Sequence, residues 1–349
     1  MTLALTDLAV PVIQAPMAGI ATPALAAEVS RAGGLGSLGL GSSPAAKAAE
    51  MLAETQARLG SNRYGVNLFC HRPPQADARR EAGWLDFLAP EFRRLGAEPP
   101  ARLHEVNRSF LIDDEMLRVV LAARPALISF HFGLPQPERI AALRASGALL
   151  AATATSRAEA EAIRAAGLDA IVAQGFEAGG HRGIFDPEAA DGCLPTLDLV
   201  AALKDIGLPL VAAGGIMDGR DAARQLQAGA QAVQMGTAFV ACPESAASAL
   251  YRSRLAEGRT VMTRAISGRP ARALENRLIA LAHRPEAPAL PDYPIPYDAS
   301  KQLHALAQGA DFAPHWAGTG AARARFMPAA RLVALLSEEI ARQGRGQGA

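Results

Sequence analysis

The chain has 349 residues, 50% of them hydrophobic, with 35 basic against 34 acidic side chains for a net charge of +1. That length suits one large domain with an appendage, or two domains, and the apolar content supports a sizeable core and excludes a disordered chain. The balanced charge excludes a nucleic-acid-coating surface and a basic membrane patch.

Three cysteines, Cys70, Cys193 and Cys242, stand far apart without a CxxC pair, which argues against a disulfide framework or a zinc site. Abundant Ala and Arg beside scarce Lys suggest a GC-rich bacterial gene. The first residues lack the basic region of a signal peptide, and no apolar run is long enough to span a bilayer. The expectation is a soluble cytoplasmic protein, a monomer or homodimer, acting on a small molecule.

In chain order, residues 11–19 read as a strand. A helix over 23–33 follows, with Thr22 as N-cap and Pro23 at its first position. Residues 35–41 are a second strand. A helix over 44–60 follows, capped by Ser43 and stopped at Gly60. Residues 64–70 (YGVNLFC) are a third strand. Residues 71–107, with Pro73, Pro74, Pro99 and Pro100, break the rhythm and read as an insertion. A helix over 113–124 resumes it. Strands over 126–133, 148–155, 168–175, 208–215 and 230–239 then alternate with helices over 137–147, 156–167, 196–207 and 218–229.

Eight apolar strands, each followed by a helix or the start of one, predict an α/β fold: a (β/α)8 TIM barrel over residues 1–240. A doubly wound sheet is the rival, but the loop after the first strand is APMAG, not GxGxxG. After Phe239 the alternation stops. Helices are predicted over 243–258 and 300–309, with a Pro-rich stretch over 283–297. Residues 241–311 thus form a small, mainly helical subdomain that carries part of the substrate site. Residues 312–349 return to the barrel through an amphipathic helix over 327–343 with Leu332, Leu335, Leu336 and Ile340 on one stripe.

In such barrels the chemistry sits at the C-terminal ends of the strands. Met17, Asn67, His131, Gln174, Gly214, Gly215 and the run Gln234, Met235, Gly236, Thr237 stand there. Asn67 and Gln174 either hold a polar ligand or satisfy neighbouring loop backbone. The glycine loops at 213–216 and 234–237 occupy the usual phosphate-binding position, where amide N–H groups approach an anion closely. The helix after strand seven is expected to point its positive end at the same anion. The segment QGFEAGGHRG over 174–183 is the most informative. His181 on that Gly-rich loop is either a base near neutral pH or a solvated histidine. His131 either meets substrate or the Gly-rich loop, or is structural. Tyr293, Tyr297 and Lys301 line a cleft at the mouth, with Lys301 holding an anionic group, or are packing and surface residues. No third ligand accompanies the two histidines for a metal, and no GxSxG supports a serine nucleophile.

The string over 174–183 resembles the signature of nitronate monooxygenases, formerly called 2-nitropropane dioxygenases. PVIQAPMAG at 11–19, YGVN at 64–67, SFHFG at 129–133, AGGI at 213–216 and QMGT at 234–237 match in order. Tyr293, Tyr297, Lys301, WAG at 316–318 and MP at 327–328 are similar to the class I branch. The resemblance implies FMN at the barrel mouth. Asn67 and Gln174 would lie by its ring or ribityl region and Met17 along the ring. Gly179, Gly180, Gly214, Gly215 and residues 234–237 would lie around the phosphate. It implies His181 as catalytic base or substrate-positioning residue, and His131, Tyr293, Tyr297 and Lys301 as the substrate site. Thr319 stands where the family pattern has Gln. The implied reaction is oxidative denitrification of propionate 3-nitronate and alkyl nitronates with O2, by one-electron transfer to the flavin, giving a carbonyl compound and nitrite or nitrate. The alternatives are an NAD(P)H-dependent FMN quinone or enoyl-thioester reductase on the same scaffold, and a non-catalytic FMN- or phosphate-binding protein.

Overall fold

The computed structural model describes residues 3–345. Its strands, in chain order, are β1 (Val12–Gln14), β2 (Ser37–Gly39), β3 (Gly65–Phe69), β4 (Leu127–His131), β5 (Leu149–Ala154), β6 (Ala170–Gln174), β7 (Gly180–His181), β8 (Leu210–Ala213), β9 (Ala232–Met235), β10 (Thr260–Thr263) and β11 (Ala271–Leu274). Eight of them form one parallel sheet in the order β1-β9-β8-β6-β5-β4-β3-β2. Backbone bonds from Gln14 N–H to Leu35 O and from Leu35 N–H to Val12 O, each 2.9 Å, join the two ends and close the barrel. At this seam the fully buried Gln14 side chain imitates one rung of the ladder. Its Nε2 donates to Ser37 O at 3.1 Å, and its Oε1 accepts from Ser37 N–H at 3.0 Å.

Strands and helices alternate because short apolar runs alternate with capped, Ala-rich segments. Thr22 Oγ1 accepts from Leu25 N–H at 3.0 Å to start the helix Pro23–Arg31, and Ser156 starts the helix Arg157–Ala165 in the same way. Ser43 does not cap the next helix. Pro44 holds the N-cap position of Ala45–Leu59 without a side-chain bond, and Ser43 instead closes a turn onto Leu40 O. β1 stops at Gln14, short of the expected strand, as the chain runs into Pro16, which has no N–H to donate. β9 stops at Met235, and Gly236 turns the chain into the short helix Thr237–Val240.

The N-terminal end of the barrel is plugged. Leu3, Leu5 and Leu8 pack with Leu35, Leu127, Leu149, Val172 and Val211 in one buried cluster. Only the C-terminal end remains open. The helix Ala329–Arg345 lies against Gly219–Gln227 and Pro23–Arg31. It buries Leu332 and Leu336 as the stripe predicts and half-buries Leu335 and Ile340.

Three features add to the sequence reading or depart from it. The stretch over 71–107 contains a long helix, Ala78–Arg94, despite Pro90 and a charged face. Trp84, Leu88 and Phe92 are its buried contacts, in a second core shared with Ile266, Leu278, Leu303 and Phe312. The segment after the barrel is also less helical than expected. Over 243–258 only Ala249–Arg254 and a single 3-10 turn form: Ser245 Oγ donates to Val240 O in a turn, and Ser248 Oγ accepts from Tyr251 N–H and so starts the helix at Ala249. Finally, β10 and β11 form an antiparallel hairpin, and β7 adds to it, with Ala271 opposite His181 and Arg272 opposite Gly180. The Gly-rich loop is therefore the third strand of a small sheet.

Candidate active site at the open end of the barrel

A cavity of about 470 Å³ opens at the C-terminal ends of the strands. All sixteen residues singled out from the sequence line it: Met17, Asn67, His131, Gln174, Gly179, Gly180, His181, Gly214, Gly215, Gln234, Met235, Gly236, Thr237, Tyr293, Tyr297 and Lys301. Phe69, Asn107, Thr153, Trp316, Gly318 and Gly320 line it as well.

The polar residues of the segment over 174–183 divide by role. Gln174 Nε2 donates to His181 O at 2.9 Å, and its Oε1 accepts from Gly183 N–H at 2.8 Å. Its carboxamide thus fastens the loop to the end of β6. Arg182 is buried and forms a two-point ion pair with Asp191 at 2.7 and 3.0 Å. It also donates to Gln174 O and Gly175 O. Glu177 accepts from Thr196 N–H at 2.9 Å and from Thr196 Oγ1 at 3.0 Å. It thereby supplies the cap that Pro195 cannot give the helix Thr196–Leu203. Glu177 and Arg182 are structural, and His181 is left facing the cavity.

His181 Nε2 lies 2.8 Å from Ser267 Oγ, while Nδ1 has no partner among the described residues. The Ser267 hydroxyl is 3.5 Å from its other acceptor, Arg269 O, so the shorter contact favours donation to Nε2 and a proton on Nδ1. The ring packs against Trp316 (4.9 Å between centroids), Phe132 (5.5 Å) and Tyr293 (5.7 Å). Burial, then the His131, Arg269 and His71 charges, push its pKa down to about 3. His131 is fixed through Nδ1 to Thr153 Oγ1 at 3.0 Å and through Nε2 to His181 O at 3.2 Å. It therefore meets the Gly-rich loop, one of the two functions left open for it. Burial lowers it to about 4.

Asn67 Nδ2 bonds to Ser129 Oγ at 2.9 Å and to Ser129 O at 3.2 Å, leaving Oδ1 without a partner among the described residues. Tyr297 stacks on Trp316 and carries Lys301 Nζ 4.8 Å from its ring centroid. Burial raises the Tyr297 hydroxyl to about 12 and lowers Lys301.

Just past the end of β8, Gly214 and Gly215 have φ of +122° and +68°, a conformation that favours glycine. Their N–H groups, and that of Gly236, donate to no acceptor among the described residues. The segment over 316–320 crosses beside them. Gly318 N–H donates to Thr237 Oγ1 at 3.0 Å, and Thr319 N–H donates to Glu177 O at 3.0 Å. Gly179 is required here, because a Cβ would stand 2.4 Å from Gly318 N. The positive end of the helix after β8 is already in use. Asp218 caps its Asp221 N–H, Glu339 takes Gly219 N–H at 2.7 Å, and Asp221 takes Met217 N–H. Three carboxylates already occupy that positive end, so the free amide groups of the glycine loops are the remaining anion donors.

Sequence reading missed Ser267 and Arg269. Both lie in the turn between β10 and β11, and nothing in SGRPAR distinguishes them from an ordinary polar turn.

The nitronate monooxygenase family model matches residues 2–339. A nitronate monooxygenase of Pseudomonas aeruginosa is 53% identical over 95% of this chain and 96% of its own length. One of Paraburkholderia phytofirmans is 52% identical over 95% and 92%. The solved structure of a nitroalkane oxidase from Streptomyces ansochromogenes superposes with a TM-score of 0.88 at 39% identity, covering 98% of this chain and 99% of that one. The chain belongs to the nitronate monooxygenase family.

Proposed function

We propose that the cavity binds FMN and that the protein uses it with O2 to oxidise nitronates, propionate 3-nitronate and alkyl nitronates among them, to a carbonyl compound and nitrite or nitrate. The observation that carries this reading is one cavity lined both by free glycine amides and by His181, whose Nδ1 has no partner among the described residues. The amides of Gly214, Gly215 and Gly236 suit a phosphate. The free Oδ1 of Asn67 suits a polar edge of the flavin, and Met17 supplies an apolar wall. When bound there, FMN supplies the electron acceptor.

The remaining work falls to this chain's residues. His181 is neutral, and its low proton affinity makes it a weak base for a carbon acid. As a fixed Nδ1–H donor it suits an oxygen of an already ionised nitronate. We therefore assign it to orienting the anion rather than to deprotonating a neutral nitroalkane. Lys301 stands at the mouth, where a carboxylate on the substrate tail would reach it. Phe69, Tyr293, Tyr297 and Trp316 exclude water around the reacting carbon.

The deciding measurement is a visible spectrum of the purified protein during anaerobic addition of propionate 3-nitronate. Flavin absorbance that changes promptly supports the reading. Absorbance that ignores nitronate and bleaches with NADH or NADPH would transfer the assignment to a nicotinamide-dependent reductase.

A further inference from the structure

Arg269 is 3% exposed, yet no carboxylate among the described residues pairs with it. Its Nη1 donates to Ile184 O at 2.8 Å and its Nη2 to Phe185 O at 3.1 Å. Its guanidinium carbon sits 4.4 Å from the Phe132 ring centroid and 5.7 Å from that of Tyr293. Arg182, equally buried, has Asp191 against it. A buried cation bonded to carbonyl dipoles and ring faces, with Asp186 acting on it by charge but not paired with it, keeps most of its positive potential, and that potential is strongest where water is excluded.

Phe132 and Tyr293 are also the rings that border His181. Arg269 therefore stands behind the wall of the reacting end of the cavity. Tyr293 Oη is buried and makes no hydrogen bond of good geometry among the described residues, Asn107 being the polar side chain nearest to hand, and a cation over the ring makes that hydroxyl a stronger donor.

We propose that Arg269 is a specificity-determining positioning residue: it selects the anionic form of the substrate head group, acting through Tyr293 and across the ring wall, with no direct contact. This rests on the nitronate reading above. It divides the work between two cations. Arg269 sets the charge preference at the reacting end for every nitronate, and Lys301 reads only a charged tail.

The test uses the FMN-loaded full-length protein, anaerobic and at a pH low enough to keep nitroethane protonated, with two probes: nitrate, a planar anion shaped like the nitronate head, and neutral nitroethane. Binding is read by flavin absorbance changes and by titration calorimetry. Removing one positive charge at such a site is expected to weaken anion binding on the order of tenfold. Arg269→Met should therefore raise the nitrate Kd about tenfold and leave nitroethane binding unchanged, and Arg269→Lys should restore most of the nitrate affinity. Arg269→Gln keeps a neutral N–H donor on the same stem without the charge and should behave like Arg269→Met, even where the methionine variant does not fold. Equal loss for nitrate and nitroethane, or unchanged nitrate binding in folded Arg269→Gln, would overturn the inference. A wild type that neither binds nitrate nor consumes nitronate would instead overturn the functional reading itself.

Discussion

Ser267 Oγ and His181 Nε2 lie 2.8 Å apart across the pairing of β7 with the β10–β11 hairpin, and this contact fixes which ring nitrogen of His181 faces the cavity. Ser267 is fully buried, so its hydroxyl has no competing solvent. Ser267→Ala should lower kcat/KM for nitronates about tenfold by releasing the ring, the scale of one lost positioning hydrogen bond in a site. Ser267→Thr should retain more of it. Steady-state kinetics with ethylnitronate checks both, with FMN content as the control.

His181→Asn should retain FMN and lose most nitronate turnover. In the wild type, kcat/KM for preformed nitronate should stay flat from pH 6 to 8, because the His181 proton affinity is pushed far below that range by burial and by the neighbouring positive and imidazole groups. A rise centred near pH 6.5 would identify His181 as a base with an ordinary pKa and sink the positioning role.

Lys301→Met should raise KM for propionate 3-nitronate roughly tenfold and leave ethylnitronate within about twofold. The side chain lies at the mouth against Tyr297 and not among the residues around His181. Equal effects on both substrates would show that Lys301 does not read the carboxylate.

Acid should destabilise the fold before the carboxylates titrate. His71 and His131 are each lowered from 6.5 to about 4, chiefly by burial. The unfolded chain takes up these protons near pH 6.5, and the folded chain resists them until about pH 4. Stability is therefore full above pH 6.5 and falls as pH drops through that window, by up to about 1.4 kcal/mol per pH unit for each such histidine. Thermal melts between pH 7.5 and 5 should show Tm falling. Replacing buried His71 with Gln should flatten that slope even if it lowers Tm at pH 7.5.

Gly179→Ala should disrupt the site without unfolding the barrel. The added methyl would meet Gly318 N at 2.4 Å and Ala317 C at 2.5 Å, both backbone atoms that cannot swing aside. FMN content of the purified variant should fall severalfold while the far-ultraviolet circular dichroism spectrum is preserved.

The barrel was legible because each strand is an apolar run and several of the following helices carry their own start or stop. Thr22, Ser156 and Gly60 are local signals with local causes. The cavity lining was legible for a related reason, since strand ends define the mouth once the strands are placed. Less visible were contacts made at long range. The helix Ala78–Arg94 packs on Leu303 and Phe312 far along the chain, and its proline and charges disguise the buried face of Trp84, Leu88 and Phe92. Gln174 stood in the sequence as a ligand or a loop fastener, and its bonds to His181 O and Gly183 N–H make it at least the latter. Ser267 and Arg269 gain meaning only when the hairpin folds back over β7.

That fold-back also sets an order of assembly. The eight barrel strands are complete once the chain has been synthesised to Met235, but His181 acquires its pairing partner Ala271 only when a later segment emerges. A nascent chain leaving the ribosome can thus form its barrel strands while the His181 ring still lacks Ser267, its backbone held only by Gln174 and His131. A product truncated after the barrel strands would carry the glycines at 214, 215 and 236 and still lack the contact that orients the histidine ring.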